Sequence, residues 1–240
     1  QVTLPKQWET FDFSPNGNEI AAKSIGTDES NRFLITVNGD GSSAKPVQEL
    51  GSNADQVQVA WSPNNQIIAT STTGEYQGVD SRKVFLIGKN QENFKSITVS
   101  GSDFRPSWSP SGERLLYSVA GPANNYQPRL WIVDAAGDSI GANRKSLNIN
   151  TWADKCTFSD AQTLYCAVPD TLPDGAGLQP SIADQTPDSI FRIDLTTGLQ
   201  TKIAIPVGSP TISKVMISTD QKTLYYSDKN SGTLNKIMLR

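Results

Sequence analysis

One short motif in this sequence has the residue pattern of a serine nucleophile. The segment GDSIG at positions 137–141 matches G-x-S-x-G, in which a sharp turn between a strand and a helix exposes the serine hydroxyl. Such a serine needs a base to accept its proton, and the usual base is histidine. The 240-residue chain contains no histidine. We therefore expect Ser139 to lie in an ordinary turn.

The sequence also lacks the common motifs for binding a metal or a cofactor. Without histidine the chain lacks the commonest metal ligand, and it contains neither Cys-x-x-Cys nor a phosphate-binding glycine loop. The segment NGDG at 38–41 resembles part of a calcium-binding loop, but it lacks the alternating carboxylates and the final glutamate of an EF-hand. A hairpin turn is the favoured interpretation, and no cofactor or metal is expected.

Paired carboxylates are the remaining route to catalysis. Glycosidases place two such groups on either side of the scissile bond. Glu9 and Asp154 are the candidates, because both would lie at the inner end of a first strand. Each has basic neighbours, which favours ion pairing over catalysis. A glycosidase is therefore kept only as a third hypothesis.

The composition excludes several other classes. The net charge is −3 and the pI about 5.0, so no basic surface points to nucleic acid. No apolar run approaches the length of a membrane span. The chain begins at Gln1 without a signal peptide, and we expect it to be a mature or excised part of a longer exported protein.

A repeat of about 48 residues organises the whole sequence. Five copies of an aromatic–Ser–Pro–turn–apolar phrase begin at Phe13, Trp61, Trp108, Phe158 and Ile217. Apolar and polar residues alternate before each anchor, as in a strand, and Pro, Gly and Asn then provide a tight turn. Further β-rich runs follow, with third strands expected at 32–37, 83–87, 129–133, 189–193 and 234–239.

These units predict an all-β, five-bladed β-propeller of four-stranded antiparallel blades, in a single domain over residues 1–240. Because blades stack face to face, the five anchors are expected to be apolar plugs between neighbouring blades. A carbohydrate-stacking platform is the alternative role for these aromatic side chains.

The phrases WSPNNQIIATS and WSPSGERLLYS, followed by RLWIVDAAG and SIFRIDLTTG, resemble the repeats of TolB-like propellers. The resemblance covers essentially the whole chain and is weakest in the fifth copy. It implies a rigid interaction module, usually exported and often fused to other domains. TolB-like propellers also occur as gating domains of prolyl-oligopeptidase-like serine peptidases.

Charged side chains are expected around the mouth of the central channel. Counting back from the anchors places Arg105, Lys155 and Lys214 there, with Glu9 and Asp154 one step further out. A partner-binding funnel and a self-paired, solvated channel both fit this mixture. Trp8, Tyr76 and Tyr126 are candidate anchors for a partner, since Tyr and Trp are common in binding hot spots.

The two cysteines lie on either side of one hairpin turn. If Phe158 faces Leu164 across the hairpin, Cys156 faces Cys166 directly. A non-hydrogen-bonded antiparallel pair brings the Cα atoms within disulfide range. We predict a disulfide and an oxidising compartment, with two buried thiols as the alternative.

The two ends of the chain predict closure of the ring. Val2, Thr3 and Leu4 align with the fourth strand of the second blade, whereas the last residues match only a third strand. The N-terminal strand would thus complete the fifth blade and close a monomeric ring.

Three functions follow from these patterns. The main hypothesis is a non-catalytic exported propeller that binds a protein or a cell-envelope component through its variable loops at 25–31, 73–81, 121–128 and 170–188. The alternative is the regulatory propeller of a serine peptidase whose catalytic domain lies elsewhere, and the third is the glycosidase.

Overall fold

The computed structural model describes residues 4–78, 80–92 and 94–239. Five antiparallel β-sheets account for the strands of this part of the chain, and short 3-10 turns interrupt the connections. Within the described residues, no helix has the length and apolarity that a bilayer crossing requires. The predicted all-β class is therefore confirmed.

The chain divides into two compact units, and the first comprises Gln1–Val99, Ser111–Arg114 and Asp134–Ala142. Its first sheet has the order β1-β2-β3-β4, formed by Trp8–Phe13, Glu19–Ile25, Arg32–Asn38 and Lys45–Glu49. Its second sheet has the order β5-β6-β7-β8, formed by Val57–Val59, Ile67–Ser71, Ser81–Gly88 and Ile97–Ser100.

The second unit comprises Ser100–Pro110, Leu115–Val133 and Asn143–Arg240. The third sheet, in the order β12-β11-β10-β9, contains Ser102–Trp108 (β9), Arg114–Ala120 (β10), Pro128–Asp134 (β11) and Lys145–Ser146 (β12). The fourth, β13-β14-β15-β16, contains Cys156–Phe158, Thr163–Pro169, Asp188–Asp194 and Gln200–Ala204. The fifth, β17-β18-β19, contains Ile212–Ile217, Thr223–Asp228 and Leu234–Met238.

The serine of the repeated phrase has a structural role in the turn between the first two strands of a sheet. The Ser62 hydroxyl donates to Asn64 Oδ1 at 2.7 Å and accepts the Ile67 N–H at 2.9 Å. Ser14 and Ser218 repeat this pair of bonds in the first and fifth sheets. The hydroxyl thus pairs a backbone donor that the turn would otherwise leave without a partner.

The five anchors differ in burial. Trp61 is buried and packs with Ala21 and Leu34 of the first sheet, and Phe158 packs in the same way with residues of the third. Trp108 and Ile217 are partly buried. The prediction of a buried plug is wrong for Phe13, which is 51% exposed and contacts Phe11 edge-on. Phe13 belongs to the first sheet, so its unit contains no preceding sheet on which it could pack.

The prediction of four strands per sheet is confirmed for four sheets and not for the fifth. Among the described residues the fifth sheet has three strands. Its predicted fourth strand, at Val2–Leu4, lies mostly outside them, and Leu4 itself is not in a strand. Closure of the ring by the N-terminal strand therefore stays a prediction.

Candidate functional site

The predicted hairpin register and the predicted disulfide are both present. Cys156 on β13 lies opposite Cys166 on β14, and Phe158 lies opposite Leu164. The two sulfur atoms are bonded, and both cysteines are buried in the core of the second unit. The disulfide therefore fixes the strand immediately after the 3-10 turn that carries Asp154 and Lys155.

A polar cleft with a volume of about 110 Å³ lies beside this turn, within the second unit. Three cations, two carboxylates, a buried indole ring and small apolar side chains surround it. The lining residues come from β9, the 3-10 turn and the residue before it, a long loop, the start of β17 and the residue after β18, and include Arg105, Trp152, Asp154, Lys155, Asp184 and Lys229.

Lys155 corrects one part of the predicted binding surface. Its side chain is almost fully buried, and its Nζ lies 2.6 and 2.7 Å from the two carboxylate oxygens of Asp188. The backward count from Phe158 assumed a continuous strand, but β13 begins only at Cys156 and the preceding residues form a 3-10 turn. The turn directs Lys155 inward, where its ammonium group is paired with Asp188.

Asp188 joins three segments below the cleft. Besides Lys155, it accepts the backbone N–H of Ile212 at 2.6 Å, which connects the starts of β15 and β17. Burial raises the pKa of Asp188 and lowers the pKa of Lys155, with each partner's charge opposing the shift. The pair is therefore a desolvated ion pair whose main role is to hold these strands together.

Arg105 is held in one orientation at the cleft wall. Its Nε donates to both oxygens of Asp103, and its Nη1 lies 3.0 Å from Asp154 Oδ2. The guanidinium also lies 5.5 Å from the ring centre of Trp152, whose Nε1 donates to Asp103 at 3.1 Å. Burial raises the pKa of Asp103. Burial alone would lower the pKa of Arg105, but the charges of Asp154 and Asp103 raise it.

The long loop, defined here as residues 170–187 between β14 and β15, forms the opposite wall. Ala176 and Ala183 are buried against Trp152, which forms a small core under the loop. Backbone N–H groups of Gly175 and Gly177 donate to the carbonyls of Asn125 and Tyr126. Asp184 also pairs with Lys229. The loop therefore has a defined conformation despite its length.

The remaining predicted partner-binding residues are dispersed. Trp8 begins β1 and is partly buried, and Glu9 pairs with Lys23 at 3.1 Å. Tyr76 is exposed, with the Arg82 guanidinium 5.2 Å from its ring centre. Tyr126 supports the long loop, and Lys214 is exposed on β17. Of the predicted set, the cleft brings together only Arg105, Asp154 and Lys155.

The ion pairs predicted for the two candidate catalytic carboxylates are present. Glu9 pairs with a lysine of its own sheet, and Asp154 pairs with Arg105 of the neighbouring third sheet. Among the described residues, no group of three or more cysteine or acidic side chains is arranged to hold a metal ion.

Both turn-like motifs form the predicted turns. GDSIG contains a 3-10 turn, Gly137–Ser139, in which the Ser139 hydroxyl donates to the Ala136 carbonyl at 2.8 Å. The NGDG segment joins β3 to β4, where Asp40 Oδ1 accepts the N–H and the hydroxyl of Ser42.

Sequence reasoning missed most of the residues that line the cleft or that hold its lining side chains in place. Asp103, Trp152, Asp184, Asp188 and Lys229 come from four separate segments, and none lies at an anchor position. The only available signal was the clustering of aspartates in the long loop, which contains three of the 18 residues and is followed at once by Asp188.

No protein-family model and no curated protein sequence matches this chain. Solved structures of other proteins do match it. TolB from Acinetobacter baumannii superposes with a TM-score of 0.57 and 16% identity over 95% of this chain and 51% of TolB. The β-propeller domain of the Trilobed protease from Pyrococcus furiosus, described as having an open velcro topology, superposes with a TM-score of 0.61 and 10% identity. The match covers 97% of this chain and 68% of the protease domain structure.

An oligogalacturonate lyase in complex with manganese has a TM-score of 0.66 and 13% identity, over 100% of this chain and 68% of the lyase. The chain thus spans about half the length of the TolB structure and about two thirds of the other two. At such identities the similarity reports the fold and not the activity. Together with the five antiparallel sheets, it shows that this chain has a β-propeller fold shared with TolB and with the propeller domain of a protease.

Proposed function

We propose that this chain is a non-catalytic binding module that recognises a protein or a cell-envelope component through the long loop and the adjacent cleft. We further propose that it is a monomer and that it works outside the cytosol. Propeller folds carry recognition on the loops that connect their strands, because the sheets hold those loops in fixed positions.

The observation that carries this proposal is the ordered long loop with exposed apolar side chains. Leu178 is 58% exposed and Ile182 is 42% exposed, although the loop is fixed underneath by Trp152, Ala176 and Ala183. A surface that is already ordered loses little conformational entropy when a partner binds. Exposed apolar side chains on such a surface are typical of a recognition site.

A paired loop variant tests this role. Leu178→Asp with Ile182→Asp places charge on the exposed surface of the loop. Val207→Asp is the control, because Val207 is 98% exposed and lies outside the loop. Immobilised wild type and control should retain the same component from an envelope extract of the source cells, and the loop variant should lose it. Equal retention by all three proteins would rule out the long loop as the recognition surface.

Absence of catalysis is tested with peptide and glycoside substrates. We expect no turnover by the purified chain. Turnover that is abolished by Glu9→Gln or by Asp154→Asn would replace the binding proposal with the glycosidase hypothesis.

The disulfide supports a location in an oxidising compartment, because disulfides rarely persist in the cytosol. Alkylation of unreduced, denatured protein followed by mass spectrometry tests the bond. We expect no label on Cys156 or Cys166 until a reductant is added. Labelling of both thiols without reductant would remove the support for export.

A peptidase propeller is the second candidate, favoured by the similarity to the propeller domain of the Trilobed protease. The reading frame that encodes this chain distinguishes the two. A downstream domain with serine, aspartate and histidine of a catalytic triad would support the peptidase, and an upstream membrane anchor without such a domain would support the binding module.

A further inference from the structure

The fifth sheet has an open outer edge among the described residues. Its last strand, β19, pairs with β18, whereas each of the other four sheets continues with a fourth strand. The residues that flank β19 both bond toward β18, because the Asp228 N–H donates to the Thr233 carbonyl and the Leu239 N–H donates to the Lys222 carbonyl. Successive residues of a strand alternate between its two edges. The backbone groups that face outward are therefore those of Leu234, Lys236 and Met238.

A groove with a volume of about 650 Å³ lies beside this edge. Its walls are formed by β18, β19 and the segment 204–207 at the end of β16. Ile205 is 69% exposed, Val207 98% and Leu234 62%, and all three line the groove. The groove thus combines backbone groups that face outward with an apolar wall, and these are the two features that an added β-strand uses.

The charge at the groove is positive. Among the described residues that line it, Lys236 alone is charged. Lys214 lies on the same face of the sheet, two strands away. Within the described residues neither lysine pairs with a carboxylate, in contrast to Lys155, Lys202 and Lys229 of the same unit. A carboxylate supplied from outside would therefore complement this edge.

The same charge argues against a second copy of the chain at the edge. In a symmetric antiparallel pair of β19 strands, Lys236 lies at the centre and would face the same residue of the other copy. Like charges directly opposite each other destabilise a strand pair, and a lysine on an edge strand is a common protection against self-association. The edge therefore favours a strand of different sequence.

We propose that the open edge of β19 binds an extended segment of another protein as the fourth strand of the fifth sheet. This segment alternates apolar and polar residues, and it places a carboxylate opposite Lys236. Its apolar side chains point to the other face of the sheet and lie against Ile205 and Ile237. Backbone pairing provides affinity, and the side chains on the two faces provide specificity. The site is separate from the long loop and does not depend on it.

The N-terminal segment is a competitor for the same edge. Val2–Leu4 is the predicted fourth strand of this sheet, and it is three residues long, whereas β19 is five residues long. A partner strand of five or more residues covers the whole edge and forms more ladder hydrogen bonds than the shorter segment does.

Three N-acetylated, C-amidated heptapeptides test the proposal on the intact chain. The first is Val-Thr-Val-Glu-Val-Thr-Val, and the second has lysine in place of glutamate. The third carries N-methyl groups on the glutamate and on both threonines, whose amides would bond to β19. Amide hydrogen exchange followed by ¹⁵N nuclear magnetic resonance measures binding at single residues.

The glutamate peptide should slow the exchange of the outward amides of Leu234, Lys236 and Met238. The amides of Asn235 and Ile237, which already face β18, should change little. This peptide should bind about tenfold more tightly than the lysine peptide, because an opposed charge pair replaces a like-charge pair. The N-methylated peptide should show no measurable binding, since it retains the side chains but loses the backbone donors.

A charge reversal provides the sharpest variant. Lys236→Glu should reverse the preference, so that the lysine peptide binds about tenfold more tightly than the glutamate peptide. Lys222→Glu is the matched control and should keep the wild-type preference, because Lys222 is exposed in the turn before β18 and does not line the groove.

Reciprocal variants separate this groove from the long loop. Val207→Asp should weaken binding of the glutamate peptide, although it serves as the control for the long loop. Leu178→Asp with Ile182→Asp should leave peptide binding unchanged. Failure of the strand site and failure of the proposed loop function are thus measured independently.

Equal binding of the three peptides, or a preference for glutamate that persists in Lys236→Glu, would overturn the proposal. A chain that lacks residues 1–5 decides the role of the competitor. Binding by this shortened chain and none by the intact chain would assign the groove to the N-terminal strand and would also overturn partner docking. Binding by both, tighter in the shortened chain, would support the proposal and show that the two strands compete.

Discussion

At the residue scale, Lys155 and Asp188 form a buried ion pair in the second unit. Both side chains are almost fully buried, and the pair connects the turn before β13 to the starts of β15 and β17. Because both charges have been removed from water, the pair contributes little net stability compared with apolar packing. Removal of only one partner destabilises the folded state, because it leaves a buried charge without a counterion.

We predict that Lys155→Met lowers the free energy of unfolding by about 3–5 kcal/mol near neutral pH. Lys202→Met is the control, because Lys202 pairs with Asp170 at the surface and should cost about 1 kcal/mol or less. Urea denaturation of the three proteins measures both differences. Equal losses in the two variants would show that the buried pair has no special role.

The loss in Lys155→Met should depend on pH with a defined sign. In this variant burial keeps the folded-state pKa of Asp188 above its unfolded value, now without the opposing charge of Lys155. The stability associated with Asp188 is then present below the unfolded pKa and is lost as pH rises through the folded pKa. The difference in the free energy of unfolding between wild type and Lys155→Met should therefore become smaller as the pH is lowered from about 7 to about 4. A deficit that is constant across this range would contradict the assignment.

At the element scale, the long loop depends on close backbone contact with the segment at 120–126. A Cβ atom on Gly177 would lie 2.2 Å from the Cβ of Ala120 and 2.8 Å from the carbonyl oxygen of Tyr126. Glycine is therefore needed here for close approach, which also allows the Gly177 N–H to donate to that carbonyl.

Gly177→Ala should displace the loop and lower the free energy of unfolding by about 1–3 kcal/mol. Gly121→Ala is the matched control, since its added Cβ would meet nothing closer than 3.7 Å and its φ of −144° suits any residue. Limited proteolysis should cut the loop of the first variant faster than that of the control. Identical cleavage rates would mean that the loop tolerates the displacement.

At the scale of the whole molecule, closure of the ring stays a prediction that rests on sequence alignment. The alignment assigns Val2–Leu4 to a fourth strand, and the fifth sheet has three strands among the described residues. A three-stranded sheet leaves the outer edge of β19 available to such a strand.

Deletion of residues 1–5 tests closure. If these residues complete the fifth sheet, their loss should lower the melting temperature by several degrees, because a shared strand is removed rather than a frayed end. Deletion of Arg240 alone is the control at the other terminus, because it leaves β19, which ends at Met238, and the packed Leu239 in place. A melting temperature that is unchanged after the N-terminal deletion would show that closure does not use this segment.

Local pattern in the sequence determined the elements of this fold. The aromatic–Ser–Pro turn, alternation along the strands and the spacing of the copies placed the sheets, the hairpin turns and the variable loops. The facing positions of Cys156 and Cys166 followed from hairpin register alone. These features depend on neighbours within one hairpin or one repeat, so the sequence contains the information needed to predict them.

Only the tertiary structure decided which side chains share the cleft and which anchors are buried. Phe13 and Trp61 occupy equivalent repeat positions, yet one is exposed and the other buried, because Trp61 packs on the sheet before its own, whereas the unit that contains Phe13 has no sheet before the first. Lys155 turned inward because a 3-10 turn replaced the expected strand, and its partner Asp188 lies 33 residues away. Contacts between distant segments are set by packing of whole sheets and loops, which no local pattern in a single sequence records.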